Sequence, residues 1–65
     1  MRRDAVWIDV ERFVPDAETE NALLVELADG REVWVPFSQL EKTERRPDGS
    51  GRILITAWFA RKEDL

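Results

Sequence analysis

Apolar residues in this chain fall into four short runs separated by polar, turn-forming segments, which is a strand pattern and not a helical one. Ala5-Val6-Trp7-Ile8-Asp9-Val10 is rich in β-branched and aromatic residues and predicts a first strand, prolonged past a bend by Phe13-Val14 until Pro15 stops it. The polar stretch from Pro15 to Glu20 predicts a loop. Ala22-Leu23-Leu24-Val25-Glu26-Leu27 predicts the second strand, and Glu32-Val33-Trp34-Val35 the third. Between them stands Ala28-Asp29-Gly30-Arg31, where Asp-Gly supplies the positive φ of a tight hairpin. A two-residue turn sets Val25 opposite Trp34 and Leu24 opposite Val35; a three-residue bulged turn shifts that register by one.

Pro36 ends the third strand because it has no N–H for a ladder. Phe37-Ser38-Gln39-Leu40 predicts one short 3₁₀ turn that presses Phe37 and Leu40 onto the core. Glu41-Lys42-Thr43-Glu44-Arg45-Arg46 reads as an exposed edge strand, its charge guarding against aggregation. After the turn Pro47-Asp48-Gly49-Ser50-Gly51, Arg52-Ile53-Leu54-Ile55-Thr56 is apolar on both faces and is expected at the centre of a sheet. Thr56 fits an N-cap for a terminal helix from Ala57 to Leu65, with Arg61 and Lys62 toward its C-terminal half, where cations suit the helix dipole. The expected fold is mainly β: a small SH3-like or OB-like barrel, or a twisted meander, of four to five antiparallel strands with a short C-terminal helix.

Length limits the chain to one small domain over residues 1–65, a size at which burial alone stabilises only marginally. There is no cysteine and no histidine, so neither a disulfide nor a thiolate or imidazole metal site supplements it. Three tryptophans and three phenylalanines supply the large side chains. Trp34 and Trp58 are accordingly expected as core anchors, with Trp7 the most exposed of the three. No apolar run reaches membrane-spanning length and no leader pattern follows Met1, so the expected setting is cytoplasmic, without membrane contact.

The net charge of −4 is unevenly spread. From Asp4 to Glu32, nine acids face two arginines, a balance of −7; from Glu41 to Lys62, six cations face three acids, a balance of +3. Asp9, Glu11, Glu18, Glu20, Glu26 and Glu32 thus form a candidate acidic face on the first three strands, suited to a basic protein partner. Lys42, Arg45, Arg46, Arg52, Arg61 and Lys62 form a candidate basic strip for phosphates, set against an acidic pI of about 4.7. Ser38 and Ser50 have no histidine to activate them, there is no Gly-rich phosphate loop and no calcium-loop spacing, so no enzyme, cofactor or metal is expected.

Trp34-Val35-Pro36-Phe37-Ser38-Gln39-Leu40 and Ile55-Thr56-Ala57-Trp58-Phe59-Ala60-Arg61-Lys62-Glu63-Asp64-Leu65 resemble a group of small, largely uncharacterised phage and prophage proteins. Their pattern is Trp-Ile-Pro-Lys-Ser-Gln-Ile, a variable segment, then Ile-Pro-Glu-Trp-Leu-Ala and Lys-Lys-Gly-Leu. Glu20 to Val25 and Asp29-Gly30 fit the same group, so the likeness covers about the last two-thirds of the chain. Phe37 replaces the group's lysine, Thr56-Ala57 its Pro-Glu, and Asp64 a common glycine. The resemblance implies a fold and a host-cytoplasm phage context, and no activity. The two motifs are expected to meet in space.

Three functions follow. The first is a non-catalytic phage-type accessory protein that binds another protein through Glu18, Glu20, Glu26 and Glu32. The second is a nucleic-acid-binding barrel using Lys42, Arg45, Arg46 and Arg52. The third is a structural homo-oligomer formed by edge-strand pairing.

Overall fold

A computed structural model describes residues 4–65; the basic opening Met1-Arg2-Arg3 lies outside them. The chain forms β1 (Ala5–Val10), β2 (Arg12–Phe13), β3 (Ala22–Glu26), β4 (Glu32–Pro36), a 3₁₀ turn (Phe37–Gln39), β5 (Leu40–Arg45), β6 (Gly51–Thr56) and α1 (Ala57–Lys62). These strands make two antiparallel three-stranded sheets, ordered β1-β6-β5 and β2-β3-β4. Glu11 is the corner where the first strand leaves one sheet for the other, and its N–H donates to the Glu26 carbonyl at 2.9 Å. The 3₁₀ turn makes the second crossing, from β4 to β5. No ladder joins the two sheets into a closed barrel among the described residues. Nor is any described helix long and apolar enough to cross a membrane.

Strand alternation decides what is buried. Val33 and Val35 of β4 face Val25 and Leu23 of β3, and Ile53 and Ile55 of β6 close over them from the other sheet. Ile53, Ile55, Val25 and Val35 are fully buried, each contributing about 1.5–3 kcal/mol over an exposed position. Val10, Phe13, Leu27, Phe59 and Ala60 complete the core. The core is therefore aliphatic with two phenylalanines. The expected Trp34 and Trp58 anchors are instead among the most exposed large apolar residues, and Trp7 is less exposed than either. Phe37 also stays exposed, while Leu40 packs against the core as expected.

The β3–β4 hairpin takes the three-residue form. Leu27 N–H donates to the Arg31 carbonyl at 2.8 Å and Gly30 N–H to the Leu27 carbonyl at 2.9 Å, so Ala28-Asp29-Gly30 is the loop. Gly30, at φ +90°, takes the left-handed position that closes it. The register is shifted by one from a two-residue turn: Leu24 pairs with Trp34 and Val25 with Val33. The β5–β6 hairpin repeats this geometry with Pro47-Asp48-Gly49, Gly49 at φ +93°. In each loop the aspartate accepts the N–H two residues on, Asp29 from Arg31 at 3.0 Å and Asp48 from Ser50 at 2.9 Å.

Helix α1 starts where Thr56 Oγ1 accepts the Phe59 N–H at 3.2 Å and is shorter than expected, ending at Lys62. Leu65 N–H donates to the Ala60 carbonyl at 2.8 Å and Asp64 N–H to that of Arg61 at 3.3 Å, with Asp64 at φ +58°. This paired closure turns Leu65 back onto the core at the position after a residue that glycine fills most easily. Arg31 anchors the end by donating to the carbonyls of Glu63 at 3.2 Å and Asp64 at 3.1 Å.

Candidate functional site

The two aromatic motifs do meet. Thr56 Oγ1 donates to Gln39 Oε1 at 2.6 Å while accepting from Phe59, and Leu40 pairs with Ile55 where β5 joins β6. One hydroxyl thus caps the helix and ties it to the 3₁₀ turn. Around this junction lies an open groove of about 490 Å³ bounded by Asp4, Gln39, Thr56, Ala57, Trp58 and Arg61. Trp58 is 56 % exposed there, with Lys62 Nζ 5.3 Å from its ring centre.

On the outer face of the β2-β3-β4 sheet, Trp34 is 49 % exposed and sits directly across from half-buried Leu24. One step along, Glu26 and Glu32 are cross-strand partners on the same face. Like charges in that position oppose folding. Arg12, opposite Glu26 on β2, offsets part of this at 3.7 Å, and Glu32 has no ion pair among the described residues. Of the four expected acidic contacts, the structure brings Glu26 and Glu32 together beside an aromatic. Glu18 is set apart by its ion pair with Arg45 at 3.8 Å, and Glu20 is exposed in the loop before β3.

The basic residues do not assemble into one strip. Arg52, on the outer face of the other sheet, stacks 4.1 Å over Trp7 and donates to Glu44 at 2.6 Å, with Asp9 as its partner on β1. Its hydrogen bond to Glu44 holds that carboxyl below its usual range and raises the guanidinium's own pKa further. Lys42 shares this outer face, two positions from Glu44 on β5. Arg45 points the other way, 4.6 Å over the Phe13 ring and toward Glu18. Arg46 lies at the hairpin turn, with Nη1 3.5 Å from Ser50 Oγ. Among the described residues no group of three or more metal-binding side chains is gathered.

The exposure of Trp34 is a matter of parity. Flanked by Val33 and Val35, it must face away from both, and two β-branched residues fill the inner positions better than one ring. The same rule puts Leu54 and Arg52 outside Ile53 and Ile55. No family model matches the chain, and neither a curated protein nor a solved structure matches it.

Proposed function

We propose that this chain is a non-catalytic accessory protein, phage-borne and working in the host cytoplasm, that binds a basic segment of another protein on the outer face of the β2-β3-β4 sheet. The observation that carries this reading is Trp34, half-exposed beside Leu24 and next to the Glu26–Glu32 cross-strand pair. An apolar anchor seats a partner side chain, and tryptophan is a frequent binding hot spot. A lysine or arginine alongside would relieve the repulsion between the two glutamates, so charge complementarity improves both affinity and the stability of the face. Glu20 and Glu18 extend the acidic field that steers a cationic partner. The scaffold fits a small, partly open SH3-like barrel, whose first strand serves both sheets. The nucleic-acid reading has less support because Lys42, Arg45, Arg46 and Arg52 are divided between two directions and three of them lie beside acids or a turn hydroxyl.

A peptide array graded from acidic to basic, with one aromatic or aliphatic anchor per peptide, tests the proposal. Binding is expected to rise with peptide charge, to fall with salt, and to be lost in Trp34→Ala and in Glu26→Lys/Glu32→Lys. Equal binding across the array, or binding indifferent to both variants, would overturn it.

A further inference from the structure

The four strand edges of this protein are not equally protected. β5 carries Glu41, Lys42, Glu44 and Arg45 and has an irregularity between Leu40 and Lys42. β4 is short, opens on Glu32 and closes on Pro36. β2 is two residues long, and its Phe13 N–H is taken by the Gly49 carbonyl at 2.9 Å. Charge, proline, bulges and brevity are the devices that keep sheet edges from pairing. β1, six residues long, has none of them over Ala5-Val6-Trp7-Ile8, a stretch that is apolar and exposed on both faces, with Val6 at 37 % and Trp7 at 39 %; Asp9 is the one charge in the strand.

Its open edge can be assigned atom by atom. Ala57 N–H donates to the Asp4 carbonyl at 2.9 Å, which fixes the phase of the ladder to β6. In an antiparallel ladder alternate residues turn their N–H and C=O to the same neighbour. Val6, Ile8 and Val10 therefore bond β6, and Ala5, Trp7 and Asp9 turn theirs outward, where no described strand lies.

We infer that the β1 edge pairs antiparallel with the same edge of a second copy of this chain, about a two-fold axis at Trp7. The segment is self-complementary in that register. Trp7 exchanges both hydrogen bonds with the partner's Trp7, and Ala5 exchanges both with the partner's Asp9. On the outer face the two indoles become cross-strand neighbours, each with its Arg52 stacked behind it. On the inner face Val6 meets the partner's Ile8, so the exposed apolar residues of both faces find apolar partners. Asp9 lies against small Ala5 and not against another Asp9, so no like charges are opposed. A register centred on Val6 leaves Asp9 without a described partner, and one centred on Ile8 sets Ala5 opposite Glu11, whose N–H is already given to the Glu26 carbonyl. The result is a continuous six-stranded sheet, β5-β6-β1 followed by its symmetry mate. A contact this narrow buries little area, so the dimer is weak and concentration-dependent.

Sedimentation from micromolar to millimolar concentration, combined with residue-resolved hydrogen exchange, tests this. The expected result is a monomer–dimer equilibrium in which the Ala5, Trp7 and Asp9 amides gain protection as the dimer forms. Trp7→Pro removes an outward N–H that the monomer does not use. Val6→Lys places a charge on an exposed inner-face position. Each is expected to weaken self-association by about tenfold or more while leaving the folded spectrum intact. A mass that stays monomeric throughout would overturn the inference. So would a dimer whose newly protected amides lie on β4 or β5, or one abolished by Trp34→Ala and untouched by Val6→Lys.

Discussion

Gly51 looks in the sequence like the tail of a flexible turn, yet it is a buried strand position whose substitution by alanine should be among the most damaging small changes in the chain. It opens β6 as the buried ladder partner of Arg45 on β5 and faces Phe13. A Cβ there would fall well inside contact distance of the Glu44 backbone carbonyl oxygen, and lie 2.9 Å from its carbonyl carbon and 3.0 Å from Phe13 Cε2. Neither the backbone of β5 nor a core ring gives way cheaply, so the edge strand must shift and the Glu44–Arg52 ladder pair is disturbed. Overpacking of this kind costs about 1–3 kcal/mol, and the methyl group's effect on the unfolded chain returns less than about 1. We expect a net loss of about 2 kcal/mol, a large share of the roughly 3–10 kcal/mol available to a domain of this length. In a thermal melt followed by circular dichroism that is a fall of roughly 8–16 °C. Hydrogen exchange should show the Glu44 and Arg52 amides opening first. Gly49→Ala is the control: its Cβ would meet nothing within 4 Å, so only its φ of +93° resists, costing about 1 kcal/mol. If Gly51→Ala melts with the wild type, the close approach of the Glu44 backbone to Gly51 is wrong.

Three further expectations follow from the same geometry. Thr56→Val removes both the cap on Phe59 and the bond to Gln39, so urea unfolding should show a loss of about 1–2 kcal/mol that Thr56→Ser largely restores; equal loss in both variants would deny the hydroxyl its role. Trp34→Ala should change stability by under about 1 kcal/mol, whereas Val35→Ala beside it should cost about 2, the reverse of what a tryptophan-centred core requires. Acid should weaken the fold in a defined way. Asp29, Glu44 and Asp48 are held below their ordinary values of 3.8, 4.5 and 3.8, chiefly by the Arg31 backbone N–H, the Arg52 side chain and the Ser50 hydroxyl respectively. Depressed carboxyl pKa values give stability that is complete above the unfolded values and lost as pH falls through the folded ones. The urea midpoint should therefore be flat near neutrality and fall below about pH 4, and Asp29→Asn/Glu44→Gln/Asp48→Asn should blunt that fall.

Much of the fold was legible because local chemistry and tertiary demand agree. The apolar runs mark β1, β3, β4 and β6; charge marks β5 as an edge; Thr56 marks the helix start; and Pro36 marks the exit to the 3₁₀ turn. The convergence of the two motifs at Thr56 and Gln39 was also readable. What sequence could not settle was the loop size at Asp29-Gly30, since Asp-Gly serves two-residue and three-residue loops equally well. A shift of one residue there changes which side chains are neighbours. The tryptophans depart from expectation for a different reason: residue size favours a core position, but parity beside β-branched neighbours sets which face is buried. The candidate site inherits this. Glu26 and Glu32 were visible as acids, while their direct opposition and the exposed ring beside them depend on register.

On the function proposed above, Trp34 and the glutamates next to it form a protein-binding face. Titrating isotope-labelled protein with a lysine-rich peptide bearing one leucine anchor, and following the amide and indole resonances, tests it most directly. The expected shifts are concentrated at the Trp34 indole and at Leu24, Glu26 and Glu32, and are abolished by Glu26→Lys/Glu32→Lys. Shifts centred on Trp58 or Trp7, with the Trp34 resonances unmoved at saturation, would contradict it.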